Sequence, residues 1–217
     1  GGCVVCKGPA ATGSYDLSLH ERLRSSPRHV TAAHDAQAAR LDWKDASHDL
    51  TISGSPAFTA DSGYKTGSSG VLQPSLTLSS ATHYGLGDAS ASIWADSLGD
   101  GLLMLRATGA DVTVVSFSGQ GSTAGSAVVG INQTGGAAYT RPSSGLLTGS
   151  RKGGVGAVFL NGETYGGLAS EGPTLPSNVS YLNGSPDNLR FAAIGAGRTE
   201  EQEAALYDIV STYMAGL

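Results

Sequence analysis

Between Asp49 and Gly195 the chain repeats one arrangement, a short apolar-rich run followed by a cluster of glycine, serine, asparagine or aspartate. The runs include DLTIS, SASIWAD, LLMLRAT, VTVVSFS, SAVVGIN, VGAVFLN and NLRFAAIG, and the clusters include GLGD, LGDG, ATGAD, SGQGSTAG and NQTGG. Such runs read as strands and such clusters as turns. Strands this short, about ten residues apart, predict an antiparallel β-sandwich or jelly roll. No helical pattern intervenes, which argues against a parallel α/β sheet. The turn clusters keep no fixed period, which argues against a solenoid. Only 14% of residues are charged, 40% are hydrophobic and 32 are glycine, a profile that fits an all-β domain with many tight turns.

The chain closes differently. Leu206, Ile209, Val210 and Tyr213 recur at helical spacing and draw one apolar stripe. Thr199 stands where an N-cap belongs, and Gln202 three residues on completes a capping-box pattern. Glu200, Glu201 and Glu203 put negative charge on the first turn, where the helix dipole favours it, and Gly216 is placed to end the helix. A packing helix is therefore predicted over 200–214, lying on the β-structure. One strand departs from simple inside–outside logic. In SASIWAD, Ala91, Ile93 and Ala95 share one face while Ser90, Ser92, Trp94 and Asp96 share the other. The large aromatic thus falls on the polar side, which fits either a covered second layer or an exposed stacking platform.

Ahead of the strands, residues 1–14 read as a linker or the end of an upstream region, and 15–40 as a short helical segment leading into a domain over 41–217. SLHERLRSS and TAAHDAQAARL are the two helical candidates, separated by Pro27. The opening GGCVVCKGPA lacks the charged start and apolar core of a signal peptide, and a start on glycine suggests a processed piece of something longer. Cys3 and Cys6 cannot close a structural zinc site alone and do not sit in a βαβ redox context, leaving a local disulfide or two inert thiols. A net charge of −5 argues against nucleic acid, and the one basic cluster, Arg22, Arg24, Arg28 and His29, is diluted by Glu21. No apolar stretch reaches the roughly 18 residues of a membrane span.

Three stretches, in order, resemble the concanavalin-like, laminin G-like domains of bacteriophage and prophage virion proteins. TAAHDAQAARLDWKDASHDLTISGSPAFTADSGYKTG is similar to their opening segment, with Leu41, Asp42 and Trp43 at its step and Ser55 to Asp61, Gly63 and Tyr64 beyond. GAVFLNGETYG resembles their strand, Asn-Gly turn, strand element, and LRFAAIGAGRTEEQEAALYDIVSTYMAGL their final strand and packing helix. The resemblance spans about 31–217, with 85–149 matching in texture alone. It implies a jelly roll whose helix covers an edge or outer face. It also implies a non-enzymatic part of a fibre, spike or tail appendage on the particle exterior, working with other virion proteins as a trimer. Its role would be attachment to host-surface polysaccharide, or holding the appendage together.

Jelly-roll glucanases need a Glu-x-Asp-x-x-Glu-like run to set two carboxyls at hydrolytic spacing, and none is present. Glu21, Glu163 and Glu171 are scattered, and Asp96 and Asp100 read as hairpin-turn residues. None of His20, His29, His34, His48 or His83 stands beside a Gly-x-Ser-x-Gly nucleophile elbow. No catalytic residue and no cofactor is therefore expected. Calcium on Asp88, Asp96, Asp100 and Asp111 is conceivable, although they lack the spacing of a calcium loop. Sugars are held by an aromatic platform and planar polar groups, and Trp94, Tyr84, Asp96, Arg106, Tyr139 and Arg141 are the candidates for that work. Two alternatives stay open: a glycan-cleaving hydrolase or lyase on the same fold, and a decoration domain with no ligand.

Overall fold

The computed structural model describes residues 28–40, 42, 49–65, 70–81, 83–95, 102–108, 112–118, 126–134, 136–140, 144–183 and 188–217. The linker 1–14, the cysteines, Trp43, Asp96 and Arg141 lie outside the described residues.

Two antiparallel sheets face each other. The six-stranded sheet has β1 (Arg28–Val30), β15 (Phe191–Gly195), β6 (Asp88–Ala95), β11 (Gly145–Lys152), β12 (Val155–Leu160) and β13 (Glu163–Gly167) in spatial order. The seven-stranded sheet runs β10 (Ala137–Thr140), β9 (Ser126–Gln133), β8 (Val112–Ser118), β7 (Leu102–Thr108), β14 (Asn178–Asn183), β5 (Val71–Pro74) and β2 (Leu50–Ser53). A hairpin of β3 (Ala57–Thr59) and β4 (Gly63–Lys65) stands apart. Period-2 alternation builds the core. Ala89, Ala91 and Ile93 of β6, Leu147 of β11 and Ile194 of β15 meet Val115 of β8 and Ala127, Val129 and Ile131 of β9.

The helical lead-in expected over 15–40 takes another form where it is described. Residues 28–30 form β1, pairing with β15, and a single 3-10 turn spans Ala38–Arg40. Asp35 Oδ1 accepts from the amides of Gln37 and Ala38 and so holds the chain in a turn that does not propagate. Pairing with a sheet edge outweighs the weak local helix preference of this alanine-bearing stretch.

The closing helix, α1 (Glu200–Ala215), has the predicted capping box: Thr199 Oγ1 accepts from the Gln202 amide, and Gln202 Oε1 from the Thr199 amide. Gly216 caps the other end, donating to the carbonyl of Tyr213. The helix covers the outer face of the six-stranded sheet. Leu206, Val210 and Met214 pack there on Val30, Ala32, Leu146, Phe191 and Ala193. The expected stripe is off by one member, because Ile209 is 48% exposed. The buried arc centres near Val210 and Glu203, leaving Ile209 about 100° round the helix from Val210.

Glu203 is the departure with most consequence. Its carboxylate is buried against the sheet, where Arg198 Nε donates to Oε1 at 2.7 Å. Arg198 Nη2 also donates to Ser92 Oγ at 2.6 Å, and the Arg198 backbone exchanges hydrogen bonds with Ser150 Oγ. Thr148 donates to Ser92, and Ser90 to the carbonyl of Ala196. The hydroxyl face of β6 and β11 is thus an interior surface, satisfied by the segment that feeds the helix.

Candidate functional site

Trp94 lies on that outer face, at the margin of the helix. It is half-buried and stacks on Tyr207, with ring centroids 6.1 Å apart and planes 16° from parallel. Of the two readings of SASIWAD, a second layer is present: the helix partly covers Trp94 through Tyr207. Tyr84 is buried at 4% exposure. Its hydroxyl contacts Thr113 Oγ1 and donates to Asn132 Oδ1 at 2.8 Å, while Asn132 Nδ2 holds the carbonyls of Gly85 and Leu86. Burial pushes the Tyr84 phenol above the usual tyrosine value, and its place is in a polar node between the sheets. Arg106 occupies the β7 position opposite Val114 and Ser180.

Tyr139 is where the candidates meet an open surface. β10 and β13 are edge strands of different sheets. Tyr139 of β10 and Tyr165 of β13 meet across that edge with centroids 6.0 Å apart and planes tilted by 43°. The Tyr139 hydroxyl donates to the carbonyl of Gly167, and the Tyr165 hydroxyl to the carbonyl of Thr140 at 2.7 Å. Each tyrosine thus ties its own sheet to the other strand's backbone, and the two form a reciprocal clasp. Partial burial raises the Tyr139 phenol above its ordinary value, while Tyr165 stays 36% exposed. It is the one aromatic among the exposed large hydrophobic residues described.

The backbone aims Tyr165 there. Val158 is paired with Gly166 but Phe159 with Thr164, so Tyr165 is the extra residue of a β-bulge. Gly166 makes room for the partner ring, since a Cβ there would fall 2.4 Å from Tyr139 Cε1. The turn before the strand is the predicted Asn161-Gly162, with φ of 54° and 82°. Sequence reasoning singled out Tyr139 but missed Tyr165 and Tyr207. A usable signal was present in the paired glycines after Tyr165, because glycine inside a strand marks a bulge or a close approach.

The charged side chains here are mostly committed to structure. Arg151, 1% exposed, donates to the carbonyls of Ile131, Gly154 and Ala169. Desolvation lowers its pKa. Asp88, one of the possible calcium ligands, accepts from the Gly197 amide and from Lys152 Nζ. Among the described residues no three His, Cys, Asp or Glu side chains converge on a metal site. No helix among them is long and apolar enough to cross a membrane.

These features define an antiparallel β-sandwich with one covered outer face and an aromatic clasp at one edge. Its fold is shared with solved structures at low sequence identity. The binding domain of botulinum neurotoxin DC in complex with SialylT matches with a TM-score of 0.56 at 9% identity, over 86% of this chain and 52% of that one. The receptor binding domain of botulinum neurotoxin type G matches at 0.53 and 10%, over 84% and 50%. Domain 4 of AbnA, a GH43 extracellular arabinanase from Geobacillus stearothermophilus, in complex with arabinotriose, matches at 0.53 and 14%, over 83% and 99%. This chain spans about half the length of the neurotoxin domains it matches and nearly all of the AbnA domain. No protein-family model and no curated protein matches the sequence.

Proposed function

We propose that this chain is a non-catalytic carbohydrate-recognition domain that holds glycan at the Tyr139/Tyr165 edge. The observation that carries the reading is the clasp itself. It presents an exposed ring, fixed by a hydroxyl bond to backbone and aimed by a bulge, and sugars are bound by such pre-oriented aromatic faces. The fold supports it, since a domain of nearly the same extent is known with a bound arabinotriose. The place of work belongs to the same proposal and rests on the sequence resemblance: a fibre, spike or tail appendage on the outside of a bacteriophage particle, trimeric and beside other virion proteins, where it meets host polysaccharide. A single site of this kind binds weakly, so attachment draws on several copies acting together.

The test is incubation of the protein with a panel of oligosaccharides and intact bacterial polysaccharides, following both binding and chain length. The expected result is millimolar binding of some glycans, with every chain recovered at its original length. Release of shorter chains would overturn the non-catalytic reading, and an empty panel would overturn glycan recognition.

A further inference from the structure

The chemistry of the clasp restricts which sugars suit it. This step rests on the reading of the edge as the glycan site. A tyrosine hydroxyl has one proton to donate, and both are spent, Tyr139 on Gly167 and Tyr165 on Thr140. Toward a ligand the two rings therefore offer π-faces and little hydrogen-bond donation. A π-face carries the negative lobe of the ring quadrupole, which attracts polarised C–H groups and repels a carboxylate. The net charge of −5 disfavours anionic ligands further, through the long-range field.

We infer that the edge selects uncharged sugars by a continuous C–H face, 6-deoxyhexoses and galactosides above all, and discriminates against sialic and uronic acids. Such a ring lays several C–H groups on Tyr165, and a 6-deoxy sugar adds a methyl where a galactoside has a hydroxymethyl. Neither tyrosine has a proton left to donate to that hydroxyl, so its loss costs the sugar little at the clasp. Recognition here reads shape and apolar surface before hydroxyl pattern.

The experiment is an NMR titration of the full chain with methyl β-D-galactoside, methyl β-D-fucoside, methyl α-L-rhamnoside, galacturonic acid and N-acetylneuraminic acid, following the tyrosine ring protons. The neutral glycosides should bind, the fucoside at least as tightly as the galactoside, and the two acids should bind about tenfold more weakly or not at all. Tyr165→Ala should weaken the neutral sugars by about tenfold. Equal or tighter binding of the acids, or a marked loss on passing from galactoside to fucoside, would overturn the inference while leaving glycan recognition standing. Failure of all five sugars and of the broader panel would remove both.

Discussion

Arg198→Ala should cost about 3–5 kcal/mol, the usual loss when one partner of a buried ion pair is removed. The Glu203 side chain is 1% exposed and that of Arg198 10%, so neither charge can turn to water without undocking the first turn of α1. Glu203 Oε2 already lacks a hydrogen-bond partner, and without Arg198 the whole carboxylate would be uncompensated. Burial raises the Glu203 carboxyl above its usual range, with Arg198 pulling it part of the way back and Thr148 lowering it slightly. The sign for pH follows. A carboxyl with a raised folded pKa is held protonated more tightly by the folded chain, so its contribution is fully present below the unfolded pKa and fades as pH rises through the folded one. Removing Arg198 takes away the main influence that lowers this pKa, so the variant loses more stability than the wild type as pH rises. Its loss should be smaller at about pH 5 than at about pH 8, and urea melts at the two values would show it. An equal loss at both, or one below about 1 kcal/mol, would mean that the pair carries little of the docking.

Leu206→Ala is the second large effect, expected at about 2–5 kcal/mol from lost burial plus the cavity left behind. Leu206 is 2% exposed and packs with Val30, Ala32, Leu146, Phe191 and Ala193. Ile209→Ala is its internal control. At 48% exposure it should stay within about 0.5 kcal/mol, as surface substitutions do. Thermal or chemical melts decide the matter, and equal losses at the two positions would contradict the packing described.

Most of the sandwich was legible in the chain, because β7 and β8 coincide with LLMLRAT and VTVVSFS and the other predicted runs fall within two or three residues of strands. β11 was not, although it is central to its sheet. It carries a buried arginine and a glycine among its inward residues, and an interior arginine satisfied by three carbonyls hides the alternation that marks a strand. Glu203 does stand on the first turn, and its burial went unseen for a related reason. Its place on the first turn already had an explanation in the helix dipole, and only the approach of Arg198 from the preceding segment shows that it faces inward. The same holds for the site. Trp94 was correctly placed on the outer face, but whether a second layer covers that face depends on the helix a hundred residues later. The clasp joins strands of different sheets, a proximity no local pattern encodes.

Intermolecular NOEs in an isotope-filtered spectrum of the protein with its tightest neutral glycoside test the glycan reading most directly. The expected contacts run from the sugar C–H face to the ring protons of Tyr165, with weaker ones to Tyr139. Contacts only to Trp94 and Tyr207, or to any face away from β10 and β13, would contradict it.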